Sequence, residues 1–519
     1  MKLIPKKVLI VNVYFPEMRE SIKRVNEAPN TSAPVLLAGF FCKQHCEVKL
    51  YNEVNSGAIE IFDPDLLSWP DMVVLTGLTA AFDRLLHVTA YVRTANPDVI
   101  VAAGGHGVRA LPRYSKRFFD YTCLGDVEEI KDVISDAFGP EYVSKEFIPR
   151  YDLAYWMKTF GYAESTRNCN FKCAFCSLTG VGMKYDVQSM EYLKTQMDHM
   201  GKRTIFFFQD NQVMGSGYDS LHERLMEVQK RREAGQFKYW AGFVTDTFFW
   251  DDKNIKLARD TGCMSVFVGV ESFDDSVWLK SVNKKQNSRN NQVELIRRCM
   301  DGGVLFQYGL VFDPCEQTLE QMHRELDIIC DNPEIPPPNF IFMSIPFPGT
   351  PFFHDRLSKG LILPGTRMRD LEASTLTVKP LDPVEDVVDF IKNARNFRGY
   401  RWRFMKHHVR HLWRYRKTMN GVQTLLSVLT AFAILAPGKF SSPGSIFVRK
   451  RKRTNISSTD HLDPVYTPGL PVADEYRDYF KPTVILDEEG EVNPLLRDDL
   501  LDTRFKRNQS APLDIAVEK

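Results

Sequence analysis

Short, continuously apolar runs rich in β-branched residues recur from residue 7 to residue 346, separated by amphipathic stretches. Runs of this kind are strands buried on both faces, and strands alternating with helices build parallel sheets covered on both sides. In the first part of the chain, strands are predicted at 7–13 (KVLIVNV), 47–52 (EVKLYN), 72–77 (MVVLTG) and 98–105 (DVIVAAGG), with helices over 32–44 and 81–94. Residues 1–145 are therefore read as a doubly wound, Rossmann-like domain. PRYDLAYW (149–156) reads as a connector. Alternation then resumes, with strands at 161–166, 203–210, 239–246, 264–272, 305–312 and 339–346. Six βα units fit a partial (β/α)6 barrel over 155–370 better than an open sheet. In both architectures ligands sit at the carboxyl ends of the strands.

Near residue 370 the alternation stops, and 371–440 is read as a helical C-terminal region. On a helix through 400–417, Arg403, Lys406, Arg410, Arg414 and Lys417 form one cationic stripe, and Trp402, Met405, Val409, Leu412 and Trp413 an apolar face. The apolar run 422–437 that follows is shorter than the roughly 20 residues that cross a bilayer. A peripheral contact with the inner face of a membrane is one reading. The other is a solvated basic face, with the run as a core helix against the barrel. The tail, 441–519, carries RKRKR at 449–453 and an acidic stretch at 487–491, and is expected to be extended or poorly ordered. A net charge of +1 excludes a general polyelectrolyte binder, and with no binding module visible no nucleic-acid partner is expected. The apolar run of the N-terminus is too short for a signal peptide core, so a cytoplasmic location is expected.

The ten cysteines lack the density of a disulfide scaffold, but three crowd into eight residues: Cys169, Cys173 and Cys176, spaced C-x3-C-x2-C, with Phe175 before the last. They follow the first barrel strand, at the end where ligands bind. Four thiolates would close a site. Three on a cubane iron–sulfur cluster leave one iron open to a small molecule. The alternatives are a zinc loop with a fourth ligand elsewhere, or thiols that merely pack.

This motif, with its aromatic residue, resembles the signature of the radical S-adenosylmethionine (SAM) superfamily. The resemblance implies a [4Fe–4S] cluster on Cys169, Cys173 and Cys176. Its open iron would chelate the amino and carboxylate groups of SAM, and an electron from it would cleave the sulfonium to a 5′-deoxyadenosyl radical. An electron donor such as flavodoxin or ferredoxin is implied as partner. Further SAM-binding positions follow by similarity: Phe175 in the motif, Asp210 and Asn211 after the second barrel strand near the SAM amino group, Glu271 and Ser272 after the fourth near the ribose, and Glu316 after the fifth. The family often carries Gly-Gly-Glu at the second of these places, and this chain does not. Ser272 has an alternative role as a helix N-cap. Cys315 stands where a glycine is usual, as a hydrogen donor to a radical or as a small packed residue.

A doubly wound domain ahead of such a barrel resembles the cobalamin-binding, class B subgroup. The matching pieces are TGLTAAFDR (76–84), AGGHGVRALPRY (103–114) and LGDVEEI (124–130), with Gly104, Gly105 and His106 as cobalamin contacts. The Asp-x-His-x-x-Gly loop whose His ligates cobalt is absent after the first strand, where VYFPEMRES (13–21) stands. The leading expectation is a cobalamin-dependent C-methyltransferase acting on a hydrophobic, lipid-, isoprenoid- or tetrapyrrole-like metabolite. The rivals are a non-methylating radical SAM enzyme with a vestigial N-terminal domain, and an iron–sulfur sensor.

Overall fold

The computed structural model describes residues 3–14, 31–210, 212–274, 276–288, 291–373, 375–435 and 466–502. The first sheet holds β1 (Lys6–Asn12), β2 (Cys46–Asn52), β3 (Met72–Gly77), β4 (Ile100–Gly105) and β5 (Tyr121–Thr122). All pairs are parallel, in the order β2-β1-β3-β4-β5. Strand order reverses at β1, so the crevice outside the carboxyl ends of β1 and β3 is the switch point where such sheets bind ligands. The strands are continuously apolar because each feeds two cores. Val8, Ile10, Met72 and Val74 enter one, and Leu9, Val11, Val73 and Leu75 the other. The helix expected over 32–44 stops at Ala38. There Phe40 accepts a backbone hydrogen bond from Ser144, and Phe41 bridges to Val143, which pulls the chain out of helical register.

Next comes β6 (Phe160–Ala163), then the antiparallel two-residue pair β7 (Thr166–Arg167) and β8 (Asp186–Val187). The remaining strands are β9 (Ile205–Phe208), β10 (Tyr239–Phe243), β11 (Cys263–Glu271), β12 (Leu305–Phe312) and β13 (Phe340–Met343). β6 and β9–β13 form a six-stranded parallel sheet in sequential order, with β6 and β13 left as edges: a partial barrel. The core that receives Val8 and Ile10 continues through Tyr162, Phe206, Trp240 and Val266 of this sheet, so both domains rest on shared apolar packing.

Beyond the barrel, helices Val384–Lys392, Arg401–Tyr415 and Gly421–Leu435 make the expected helical region. The tail departs from expectation. Residues 466–502 return to the first domain, where Tyr466, Phe480, Ile485, Leu486, Leu496 and Leu500 enter its second core. Phe480 stacks on His87 at 4.5 Å, and the Tyr466 hydroxyl donates to buried Asp83 at 2.8 Å. Composition hides this because the few apolar anchors are spread among prolines and charges. The sequence feature RKRKR (449–453) lies outside the described residues.

Candidate active site

The strand expected over 161–166 breaks after Ala163, and the break shapes the site. Asp210, just past β9 and fully buried, accepts hydrogen bonds from the backbone of Ser165 (2.6 Å) and Thr166 (2.8 Å) and from the Ser165 hydroxyl. These bonds turn the chain out of the sheet and launch the loop that holds the cysteines. Burial pushes the Asp210 carboxyl up to about 6, against the pull of those bonds and of Arg224. Asp210 thus spends its acceptors on the chain itself. Asn211 lies outside the described residues.

In the loop, Asn168 takes a left-handed backbone (φ 59°) and donates to the Lys184 carbonyl at 3.0 Å. The backbone N–H of Cys176 donates to Cys173, and that of Ala174 to Val282. Gln286 Nε2 lies 3.9 Å from the Cys173 sulfur, and Phe175 stacks on Trp278 at 6.3 Å. All three thiols are free of disulfides. Burial raises the proton affinity of all three, helped at Cys169 and Cys176 by repulsion from Cys173 and opposed at Cys169 and Cys173 by Lys284; Cys176 is pushed up to about 12. Among the described residues no three His, Cys, Asp or Glu side chains converge as ligands of one metal ion would. Thiolates that each take a different iron of a cubane need not converge so tightly.

At the carboxyl ends of β10 and β11 stands a buried polar group that no local motif announces. Glu271 has a left-handed backbone (φ 67°), and its carboxylate folds back over Gly269, where a Cβ would collide with it and with the Lys284 ammonium. Lys284 is ion-paired to Glu271. Burial pulls its pKa down, but Glu271 and Cys173 outweigh burial and hold it protonated. Asp246 accepts from Gln292 Nε2 at 2.5 Å, and burial pushes its carboxyl up to about 6. Asp246 Oδ1 and Gln292 Oε1 are enclosed without a hydrogen-bond partner. Two orphaned acceptors beside an ion pair fit a ligand rich in hydroxyl or ammonium donors. The Ser272 hydroxyl donates to buried Glu325, which also accepts from the Phe273 and Asp274 backbones, so it anchors the turn.

Glu316 pairs with Arg356 at 2.7 Å, and Arg356 also binds fully buried Asp313 at 2.8 Å. The Cys315 thiol donates to the Lys379 carbonyl at 3.1 Å, and burial lifts it to about 12. Across the sheet face that carries Gly269 runs an aromatic ladder: Tyr162, Phe207, Phe243, Phe267, Phe340 and Phe342, with successive rings 4.3–5.5 Å apart. Gly309 leaves room for the Phe340 ring, which lets the ladder cross β12. Of these rings Tyr162 is buried and the other five are partly exposed.

On the first domain, Gly105 has φ 93°, and a Cβ there would meet the Gly77 carbonyl at 2.9 Å. It caps the short helix His106–Ala110. That helix packs on helix Ser177–Val181, directly after Cys176, so the β4 loop meets the cysteine loop. His106 Nδ1 is enclosed without a partner, and burial pushes the ring down to about 4, leaving it neutral. Gly104 lies against Cys123.

Residues 163–325 match the Radical SAM superfamily. The matched stretch is a radical SAM domain, and the doubly wound domain stands in front of it. Among curated proteins it is similar to bacteriochlorophyllide d C-8(2)-methyltransferase of Chlorobaculum tepidum, 25% identical over 328 residues, 56% of this chain and 69% of that one. Among solved structures it resembles the cobalamin-dependent S-adenosylmethionine radical enzyme OxsB with aqua-cobalamin and S-adenosylmethionine bound. The TM-score is 0.58 at 15% identity, over 86% of this chain and 75% of that one. Against the form with aqua-cobalamin alone, the match takes in 53% of that chain. It also resembles the methyltransferase TsrM of Kitasatospora setae, with TM-score 0.51 at 16% identity over 68% of this chain and 76% of that one. These likenesses are of fold.

Proposed function

We propose that the chain is a cobalamin-dependent C-methyltransferase acting on a hydrophobic metabolite. The observation that carries the reading is the meeting of two loops: three free thiols at the carboxyl mouth of the partial barrel, and the β4 loop of a switch-point domain packed on the helix that follows them. The names of the relatives agree with it.

When bound, a [4Fe–4S] cluster supplies the electron that splits SAM into methionine and a 5′-deoxyadenosyl radical, and cobalamin supplies a methyl carrier. Cys169, Cys173 and Cys176 would hold three irons, giving up the protons that burial makes them keep in the free protein. Lys284 offsets negative charge beside Cys173. Asp246, Gln292 and Glu271 offer acceptors to the ribose hydroxyls and ammonium of SAM. The His106 ring, neutral and unpartnered at Nδ1, fits as a contact to cobalamin. The ladder from Tyr162 to Phe342 gives the substrate an apolar wall that keeps water from the radical. Electrons come from a flavodoxin- or ferredoxin-type donor.

The test is anaerobic reconstitution with iron, sulfide, reductant and methyl-labelled SAM. The reading expects 5′-deoxyadenosine together with S-adenosylhomocysteine, and stoichiometric cobalamin. Production of 5′-deoxyadenosine without cobalamin uptake favours the non-methylating alternative. No SAM cleavage under any condition sinks both.

A further inference from the structure

Helices Arg401–Tyr415 and Gly421–Leu435 are built inside out. The first turns Phe404, His407, His411 and Tyr415 inward. Half a turn round, Trp402, Met405, Val409 and Trp413 stand 81%, 42%, 67% and 67% exposed. The inward face is tied to the barrel by hydrogen bonds from its histidines. His407 Nε2 donates to the carbonyls of Asn332 and Ile335, and His411 Nδ1 to that of Pro333. The second helix repeats the inversion. Gln423, Ser427, Ala431 and Ile434 are buried, with Gln423 Nε2 donating to Met264 and Gly303, while Leu425, Val428, Leu429 and Phe432 are 39–58% exposed. The Arg401 guanidinium reaches the Leu435 carbonyl at 3.4 Å, so the two helices run as an antiparallel hairpin.

In water a helix turns such residues toward the core. Here both helices turn polar side chains toward the protein and leave several large apolar ones on the outside. The charge around the patch says what. Between residues 398 and 435 there are eight Lys or Arg and no Asp or Glu. Arg403 and Arg414 are tied to acids of the barrel: Asp327, Asp331 and Glu334. Lys406, Arg410 and Lys417 are exposed and make no ion pair among the described residues, and Arg416 lies over the Trp413 ring at 4.0 Å. Aromatic and aliphatic side chains rimmed by free cations, with no anion, match a surface of negative headgroups over acyl chains. A protein partner or second copy would have to supply an acidic rim. No helix among the described residues is long and apolar enough to cross a membrane.

We propose that this hairpin docks the protein flat on an anionic lipid bilayer, with Trp402, Trp413, Leu425 and Leu429 at the headgroup–acyl boundary. The contact needs neither cluster nor SAM, so its failure is separable from failure of the catalytic reading. The experiment floats the full-length protein with phosphatidylcholine vesicles, with and without phosphatidylglycerol. Binding is expected at least about tenfold tighter to the anionic vesicles and weaker in high salt. The double variants Trp402→Ser/Trp413→Ser and Lys406→Glu/Arg410→Glu, with circular dichroism spectra unchanged, are each expected to lose about tenfold or more. No flotation, or flotation that neither variant diminishes, overturns the proposal. So does a concentration-dependent dimer that the tryptophan variant dissolves while vesicles are ignored, which assigns the face to a second copy. Vesicle binding that appears only when residues 436–465 are replaced, residue for residue, by Gly-Ser assigns the face to that segment and overturns it equally.

Discussion

Asp210 and Lys284 show how single residues set up the site without any motif to mark them. Asp210→Asn keeps the shape but leaves one acceptor oxygen for three donors. Charge-assisted bonds to buried donors make this a loss of about 2–3 kcal/mol, read as a lower melting temperature together with lower iron content, because the cysteine loop starts from those bonds. Lys284→Met leaves Glu271 buried and unpaired, at a cost of about 3–5 kcal/mol. Adding Glu271→Gln is expected to recover most of the stability in a thermal melt but not SAM cleavage, because the acceptor and the cation are both gone. Cys173→Ser is expected to abolish the iron–sulfur absorption of the reconstituted protein. Cys315→Ala, whose thiol only donates to the Lys379 carbonyl, should leave both that absorption and 5′-deoxyadenosine formation in place. The three cysteines were legible because their spacing is local. Lys284, Asp246 and Gln292 were not, because they are assembled from three separate segments that only the fold brings together.

At the scale of elements, the long strands were readable and the short ones were not. β1, β3 and β12 declare themselves because parallel strands covered on both faces read as nearly continuous apolar runs. β7 and β8 have two residues each and exist because Asp210 and the cysteine loop bend the chain, a tertiary cause with no periodic trace. Helix Arg401–Tyr415 was expected from its periodicity, but which face is buried is decided by carbonyls of residues 332–335 that accept from its histidines. That anchoring carries a pH signature. Burial, with Arg410 and neighbouring histidines adding to it, lowers His407 to about 4 and His411 to about 3, below the ordinary 6.5. Between those values and 6.5 the unfolded chain binds more protons than the folded one. The hairpin's stability is therefore full above pH 6.5 and falls as the solution is acidified toward pH 4, by on the order of 3 kcal/mol for each histidine. Hydrogen exchange of residues 401–435 should quicken over that window while the six-stranded sheet stays protected.

Across the whole molecule, the chain closes on itself. Asp499 accepts backbone hydrogen bonds from Arg113 and Tyr114 at 2.9–3.1 Å, and Asp83 binds both Tyr466 and Thr483. Truncation before residue 466 is expected to strip six apolar side chains from the first domain's core. At about 1.5–3 kcal/mol for each large side chain fully buried, this is enough to unfold it, as limited proteolysis of residues 1–145 would report. The tail's prolines, serines and charges hide this, because a handful of well-placed anchors suffices to seat it. The ribosome therefore cannot finish the first domain first. Its sheet emerges early, but the side chains that seal it are translated some three hundred residues later, after the barrel between them. During synthesis the nascent sheet must wait with one flank open, and any chaperone acting on that flank has to act before translation ends or compete with the arriving tail.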